Sequence, residues 1–270
     1  MTDLHIVTWN INSVRLRIDR VCSFLDATSP DVLCLQEIKC REGEYPLKAF
    51  QKAGYEHVEI AGQKGYHGVA TVSRYPLQRL DTPEFCMHGE ARGVAVKVRG
   101  VEVHNLYVPA GGDEPDPEIN PKFAHKLDFI DRMDSIYTTR RAGNADPLIV
   151  VGDLNIAPEE HDVWSHKQLL KVVSHTPIEV DGLKRIISNG GFTDIARAAR
   201  GPDEKLYTWW SYRARDWKAS NRGRRLDHIW SDERATPLVE MGSYTIHEED
   251  RGGEKPSDHC PVAIRMKAPG

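Results

Sequence analysis

Asp153 and Asn155 stand two residues apart at the end of an uninterrupted apolar run, in PLIVVGDLNIAP (residues 147–158). Comparable polar residues accompany other apolar runs: Asn10 and Asn12 in TWNINSVR, Glu37 in DVLCLQEIK, Tyr107 in HNLYVPAGG, Asp227 in RLDHIW, and Asp258 and His259 in KPSDHCPV. Glu37, Asp153, Asp227 and Asp258 are carboxylates. Brought into one cleft, they would repel and raise one another's pKa values, so their convergence requires a divalent cation or protonation. Oxygen-only ligation points to magnesium or manganese rather than zinc. With one histidine and one tyrosine added, the set meets the needs of phosphodiester hydrolysis: a metal on the phosphate, a base for the water and a donor for the developing charge. Taken singly, each residue also has an ordinary reading. Gly-Asp and Asn punctuate many turns, a glutamate after a strand is often solvated, and a tyrosine is often half-buried packing.

The elements that must position these residues follow from hydrophobic pattern. Leu148 to Val151 lack alternation and read as a strand buried on both faces, whose carboxyl end is where α/β sheets present ligand-binding groups. Leu4 to Trp9 and Asp31 to Gln36 read as strands flanking a helix that Ser13 caps and whose apolar face is Val14, Ile18, Val21 and Leu25. Tyr55 to Ile60 and Gly68 to Ser73 are further strands, joined by a glycine-rich loop carrying Lys64, Tyr66 and His67. Gly93 to Val98 and Val101 to Val108 form a hairpin around Gly100. An acidic loop, Gly111 to Pro121, precedes a long amphipathic helix with Phe123, Leu127, Ile130 and Tyr137 on one side. Thr176-Pro177-Ile178-Glu179 is a capping box with proline at the first helical position, and that helix stops at Gly190 and Gly191. RLDHIW is a strand with Asp227 in its middle, Val239 to Ile246 another, and an apolar strand closes the chain after His259. With no repeat or linker in the pattern, residues 1–270 are expected to form a single domain.

Composition limits the class of protein. The chain is 40% apolar and 28% charged, with no run long enough for a bilayer span, so no membrane association is expected. Its N-terminus, MTDLHIVTWN, lacks a basic-then-apolar leader, and a cytoplasmic location is expected. The five cysteines are scattered without a CxxC pair, which argues against a disulfide framework and a zinc site. A net charge of −4 does not favour polyanions overall. Yet Arg213, Arg215, Lys218, Arg222, Arg224 and Arg225 crowd one segment against Asp216 alone, a basic patch able to seat a polyanion locally.

In this order, TWNINSVR, DVLCLQEIK, QKGYHGVA, NLYVP, GDLNIAP, TWWSYR, NRGRRLDHIW and KPSDHCPV cover the chain nearly end to end. The set resembles the exonuclease III family of apurinic/apyrimidinic endonucleases, within the endonuclease/exonuclease/phosphatase superfamily. GDLN is shared with relatives that cut inositol phosphates or sphingolipids; LQEIK, TWW and SDHCP together mark the DNA-repair branch. The resemblance implies an α/β fold: a four-layer αββα sandwich of two packed mixed β-sheets flanked by helices. It implies a magnesium-dependent base excision repair enzyme, with manganese a substitute. Double-stranded DNA with abasic sites or blocked 3′ ends would be its partner, and a monomer its expected state.

The same resemblance assigns roles. Glu37 would bind the metal with Asn10 or Asn12 nearby and Asp258 a second ligand, while Asp153, Asn155 and His259 also belong to the metal's surroundings. Asp153 would deprotonate the attacking water, Asn155 would hold that water or the scissile phosphate, and Tyr107 would donate to a phosphate oxygen. Asp227 would raise the pKa of His259, keeping it able to stabilise phosphate charge. For DNA, Asn12, Lys39, Tyr66, Arg92, Arg222 and Arg224 are the expected contacts, with Trp209 and Leu226 as walls for a sugar that has lost its base. Two positions depart from the family: some relatives carry a carboxylate in place of Asn12, and animal relatives a tryptophan in place of Arg224. Two other readings stay open: a different phosphoesterase of the same fold, acting on inositol phosphates, a lipid headgroup or undamaged nucleic acid by exonucleolytic trimming, and a non-catalytic nucleic-acid-binding module. The basic and aromatic segment disfavours the first, and the carboxylates gathered with a histidine disfavour the second.

Overall fold

The computed structural model describes residues 2–143, 146–214 and 216–269. Its elements, in order, begin with β1 (Thr2–Asn10), α1 (Ile18–Thr28), β2 (Val32–Gln36), α2 (Leu47–Lys52), β3 (His57–Ala61), β4 (Val69–Ser73) and β5 (Gln78–Arg79). The hairpin β6 (Gly93–Val98) and β7 (Val101–Tyr107) leads to α3 (Pro121–Gly143) and β8 (Leu148–Asp153). There follow α4 (His166–Leu169), α5 (Pro177–Gly190), β9 (Phe192–Asp194), α6 (Ile195–Arg200), β10 (Trp209–Trp210), α7 (Trp217–Ser220) and β11 (Gly223–Arg224). Strands β12 (Asp227–Asp232), β13 (Thr245–Ile246) and β14 (Val262–Ala268) complete the chain.

Two six-stranded mixed sheets result, in the orders β13-β14-β1-β2-β4-β3 and β5-β6-β7-β8-β12-β9. Each has a parallel pair near its centre, β1 with β2 and β7 with β8. The sheets pack face to face over Leu4, Ile6, Val32, Cys34, Val94, Val103, Ile149, Val151, Ile229 and Ile264. Alternate residues point outward: Val7, Trp9, Leu33 and Leu35 pack with Val21, Phe24 and Leu25 of α1, whereas Leu106, Val150 and Trp230 pack with Phe129, Met133, Leu183 and Ile186 of α3 and α5. The result is the four-layer αββα sandwich. Among the described residues no helix is long and apolar enough to cross a membrane.

Strand parity carries the chemistry with it. On the inward register of Leu4 and Ile6 lie Thr8 and Asn10; on that of Val103, Asn105 and Tyr107; on that of Ile149 and Val151, Asp153; and on that of Ile229, Asp227. Polar side chains therefore occupy the inter-sheet layer at one end. Gln36 Nε2 donates to Thr8 Oγ1 at 2.9 Å and to Asn105 Oδ1 at 2.7 Å, and Asn105 Nδ2 donates to Ala70 O at 3.0 Å. This rung ties the sheets together just below the strand ends.

Three local expectations are corrected. Helix α1 does not start at a Ser13 cap: Ser13 has φ +85° and gives its N–H to Glu37 O at 2.7 Å, while Ile11 and Val14 bond to Gln36 O and Ile38 O. That backbone ladder holds residues 11–14 alongside 36–38 in a non-helical path, with Asn12 and Ser13 at positive φ, and delays the helix to Ile18. Asp227 opens β12 instead of sitting in its middle, because Arg225 N–H turns to Asp162 O and Leu226 O accepts from Leu154 N–H. Val239 to Ile246 is mainly turn, with strand only at Thr245–Ile246; Ser243 folds its N–H back to Glu240 O, and Val239 makes a single bridge to Met266. The capping box of α5 holds as expected, with Glu179 Oε2 accepting from Thr176 N–H at 3.2 Å.

Gly152 shows how tightly the sheet is built at the site. Its φ is +142°, and a Cβ there would stand 1.9 Å from Leu106 O on β7. Gly152→Ala is expected to cost more than the roughly 1–3 kcal/mol of ordinary overpacking. Gly43→Ala, where nothing lies within 4 Å, serves as the control. Urea unfolding checks both, and an unperturbed midpoint for Gly152→Ala would show that β7 and β8 tolerate separation.

Candidate active site

Asn10 is fully buried at the end of β1, and its amide is shared: Nδ2 donates to Glu37 Oε1 at 2.9 Å and to Asp153 Oδ2 at 2.8 Å. Glu37 follows β2 with φ +48°, held there by the N–H groups of Ile38 and Lys39 on Gly68 O and His67 O. Its carboxylate also accepts from Tyr107 Oη at 2.8 Å and pairs with Lys39 Nζ at 2.8 Å. Asp153, at the end of β8, accepts Asn155 N–H at 2.9 Å, which turns the chain and sets Asn155 at φ +55°. Asn155 Nδ2 donates to Val108 O at 2.9 Å and faces Asp153 Oδ2 at 3.3 Å.

His259 enters from the segment before β14, pinned by Trp9 Nε1 on its carbonyl at 3.1 Å and by Ser257 Oγ, which accepts its N–H and donates to Asn10 O. Its Nδ1 lies 2.8 Å from Asp227 Oδ2 and its Nε2 3.7 Å from Asp153 Oδ2. Asp258 accepts from Asn12 Nδ2 and Trp209 Nε1, both at 3.0 Å. Glu37, Asp258 and His259 open onto one cleft of about 930 Å³, walled by Tyr107, Asn155, Trp164, Trp209, Arg213, Arg222, Arg224 and Leu226.

The electrostatics follow from this packing. Burial drives the Asp153 carboxyl up to about 7; the positive charge of His259 opposes the rise and Asp227 adds to it. Burial alone would push His259 down, but Asp227 and Asp153 outweigh it and carry the imidazole up to about 10. Burial likewise works against Glu37, yet Lys39 and the Asn10 amide hold its carboxyl low. Asp258 is also kept low against burial, by His259 and by its bonds to Asn12 and Trp209. Tyr107 is held protonated, well above its ordinary range, by burial and the neighbouring carboxylates.

The oxygens of Glu37, Asn10 and Asp153, linked through the Asn10 amide, are hard donors suited to a divalent cation, and Asp258 lies beyond Asn12, bonded to it and to Trp209. A positive charge already samples that chemistry: Lys39 Nζ sits 2.8 Å from Glu37 Oε2 and 2.5 Å from Asn12 Oδ1. Asp153, Asp227 and His259 also bring ligand atoms within 4.8 Å of one another, and Asp227 Oδ2 is engaged by His259 and by Thr208 Oγ1 at 2.6 Å.

Of the expected DNA contacts, Trp209 and Leu226 line the cleft, Arg224 lies over the Trp209 ring at 5.3 Å, and Arg222 over Trp164 at 4.7 Å. Arg224 also donates to Val173 O and Ser174 Oγ. Tyr66 is exposed beside His67, and Lys39 and Asn12 belong to the carboxylate network. Two arginines are corrected. Arg92 is 5% exposed, bonded to Glu90 at 2.6 Å and laid over the Tyr107 ring, so it supports the tyrosine instead of reaching solvent. Arg225 is fully buried between Asp162 and Asp194 and anchors the loop from beneath. Arg215 lies outside the described residues. Sequence reading missed Thr208, which bonds Asp227, and Lys126, whose Nζ reaches Asn155 O at 2.8 Å and Glu179 at 2.5 Å. A lysine three residues after Phe123, on the apolar stripe of α3, was the available signal.

Comparison with known proteins agrees with this arrangement. Residues 7–259 match the Endonuclease/Exonuclease/phosphatase family. The chain is 28% identical to the exodeoxyribonuclease III of Haemophilus influenzae, over 98% of this chain and 100% of that one. It resembles the solved structure of an AP endonuclease from Archaeoglobus fulgidus at 30% identity and TM-score 0.86, covering 98% of this chain and 99% of that one. A 3′ phosphatase from Neisseria bound to product DNA hairpin is similar at 29% identity and TM-score 0.86, with the same coverage. The chain therefore belongs to the endonuclease/exonuclease/phosphatase family, in its exonuclease III-type AP endonuclease branch, and is a phosphodiester hydrolase.

Proposed function

We propose that the chain is a magnesium-dependent DNA-repair phosphodiesterase acting on duplex DNA. It hydrolyses the backbone 5′ to abasic sites, and at 3′ ends it acts as a 3′–5′ exonuclease and removes blocking groups. The observation that carries this reading is Asp153, buried between the Asn10 amide and the imidazole of His259, directly behind His259 and Asn155, which line a cleft edged by tryptophans and arginines. The relatives' described activities on abasic sites, 3′ ends and a DNA hairpin support it.

In this reading Asp153, its carboxyl raised to about 7, takes the proton of the attacking water. Asn155, its side chain fixed by Val108 O, holds that water or the scissile phosphate. His259, kept protonated by Asp227, faces the charge that develops on the phosphorus oxygens. Tyr107 keeps its proton and donates to a phosphate oxygen. Glu37 would hold the metal with help from Asn10 and Asp258, and magnesium, or manganese in its place, would supply Lewis-acid stabilisation of the phosphate. Arg222, Arg224 and Lys39 meet the flanking backbone, contacts that position without specifying sequence. Trp209, held flat by Asp258 and Arg224, fills the space an absent base leaves.

Asp153→Asn is expected to lose roughly 10²- to 10⁴-fold in turnover, the range for a lost general base, while duplex affinity is kept or rises. Steady-state hydrolysis and filter binding measure both; retention of a tenth of wild-type turnover would move the base elsewhere. His259→Asn removes the positive charge that lowers the Asp153 pKa, so the ascending limb of kcat/KM against pH should move to higher pH. A limb that stays in place, or moves to lower pH, would separate the two groups.

The substrate is tested with one duplex holding an internal abasic analogue and one with an intact recessed 3′ end. Trp209→Ala should reduce incision of the first far more than general duplex binding. Neutralising Arg222 and Arg224 together should weaken all binding and flatten its salt dependence by about one slope unit per lost phosphate contact. Equal loss on every substrate by Trp209→Ala, or a lowered melting temperature that accounts for it, would leave the tryptophan a structural role only.

A further inference from the structure

We infer that Cys86, Glu90 and His125 form a second metal site, outside the catalytic cleft, that selects zinc, with His88 packed against it as a supporting partner. The loop before β6 makes a tight turn in which Gly89, at φ +62°, returns its N–H to Cys86 O at 3.1 Å. That turn carries Cys86 and Glu90 toward α3, where His125 is 8% exposed. Cys86 Sγ lies 3.1 Å from His125 Nε2, and ligand atoms of Cys86, Glu90 and His125 all fall within 4.8 Å of one another. The His88 ring stands edge-on to His125 with centroids 4.3 Å apart.

A simple S–H···N hydrogen bond would need only the cysteine and one histidine. Here a carboxylate converges on the same pair, and the His88 ring packs edge-on against His125. Thiolate, imidazole and carboxylate are together the donors of tetrahedral zinc. The sulfur sets the choice, because magnesium takes oxygen donors and the catalytic cleft offers it those. The fold thus contains two donor sets of different softness, one for each kind of metal.

Glu90 ties the second site to the first. Arg92 Nε donates to Glu90 Oε2 at 2.6 Å, and Arg92 lies over the Tyr107 ring at 5.0 Å while bonding Tyr107 O. A metal that orders Glu90 would stiffen this support of the catalytic tyrosine.

The test uses the full chain, stripped of metal and titrated with cobalt(II) as a spectroscopic probe, then with zinc. One equivalent of cobalt should produce a sulfur-to-cobalt charge-transfer absorption in both wild type and Glu37→Gln, whose catalytic ligand is removed. One equivalent of zinc should abolish the absorption and excess magnesium should not. Cys86→Ser should lack it. His88→Ala, at an exposed position the fold tolerates, should keep the absorption but bind at least about tenfold more weakly, the lower end of what a lost supporting partner costs. No sulfur–cobalt absorption in wild type overturns the site. So does the same absorption in Cys86→Ser, which would assign it to Cys22, the other partly exposed thiol. An unchanged cobalt affinity in His88→Ala overturns it as well.

Discussion

Two carboxylates from opposite sheets share one amide. Glu37 arrives from the sheet of β1 and β2, Asp153 from the sheet of β7 and β8, and Asn10 Nδ2 donates to both. Unit charges about 4 Å apart at a protein surface repel by roughly 4 kcal/mol, so such a pair does not stay together without donors or a cation. The amide supplies part of that compensation, Lys39 and Tyr107 another part on Glu37, and His259 a third on Asp153. The cleft's affinity for a hard cation is the other side of the same repulsion.

That interaction depends on the sandwich being in register. Asn10, Tyr107, Asp153 and Asp227 share the inner layer because each lies an even number of residues from an inward-facing apolar neighbour, and a slip of one residue would turn the side chain outward. The Gln36–Asn105 rung bridges the sheets beneath them. Around this frame, buried charges hold the loops: Lys126 with Glu179 under the Asn155 backbone, and Arg225 with Asp162 and Asp194 under Trp209 and Arg224. Left-handed backbone at Asn12, Glu37, Lys39 and Asn155 concentrates strain where the polar groups are aimed.

Much of the site was legible in the chain because each group stands at one end of a strong apolar run: Asn10, Glu37, Tyr107 and Asp153 after theirs, Asp227 and His259 before theirs. Parity and strand ends then bring Asn10, Glu37, Tyr107, Asp153, Asp227 and His259 to one place, and the family order of motifs ties them to one chemistry. What could not be read has a different cause in each case. Arg225 and Arg92 look like their neighbours in a basic list, and only the fold reveals that Asp162, Asp194 and Glu90 consume their charge. Ser13 has the composition of a cap, but a backbone ladder to Glu37 O overrides local propensity. Cys86 and His125 are 39 residues apart with no spacing signal, so their meeting is a product of tertiary packing alone.

The most direct test of this electrostatic arrangement is a carbon-13 NMR titration of the Asp153 carboxyl in metal-free protein, compared with Asn10→Ala. The expected result is a wild-type midpoint near 7, far above an ordinary aspartate, and a further rise when the Asn10 amide that lowers it is removed. A midpoint close to the ordinary 3.8 in both proteins would contradict it, since Asp153 would then be neither starved of solvent nor held by Asn10.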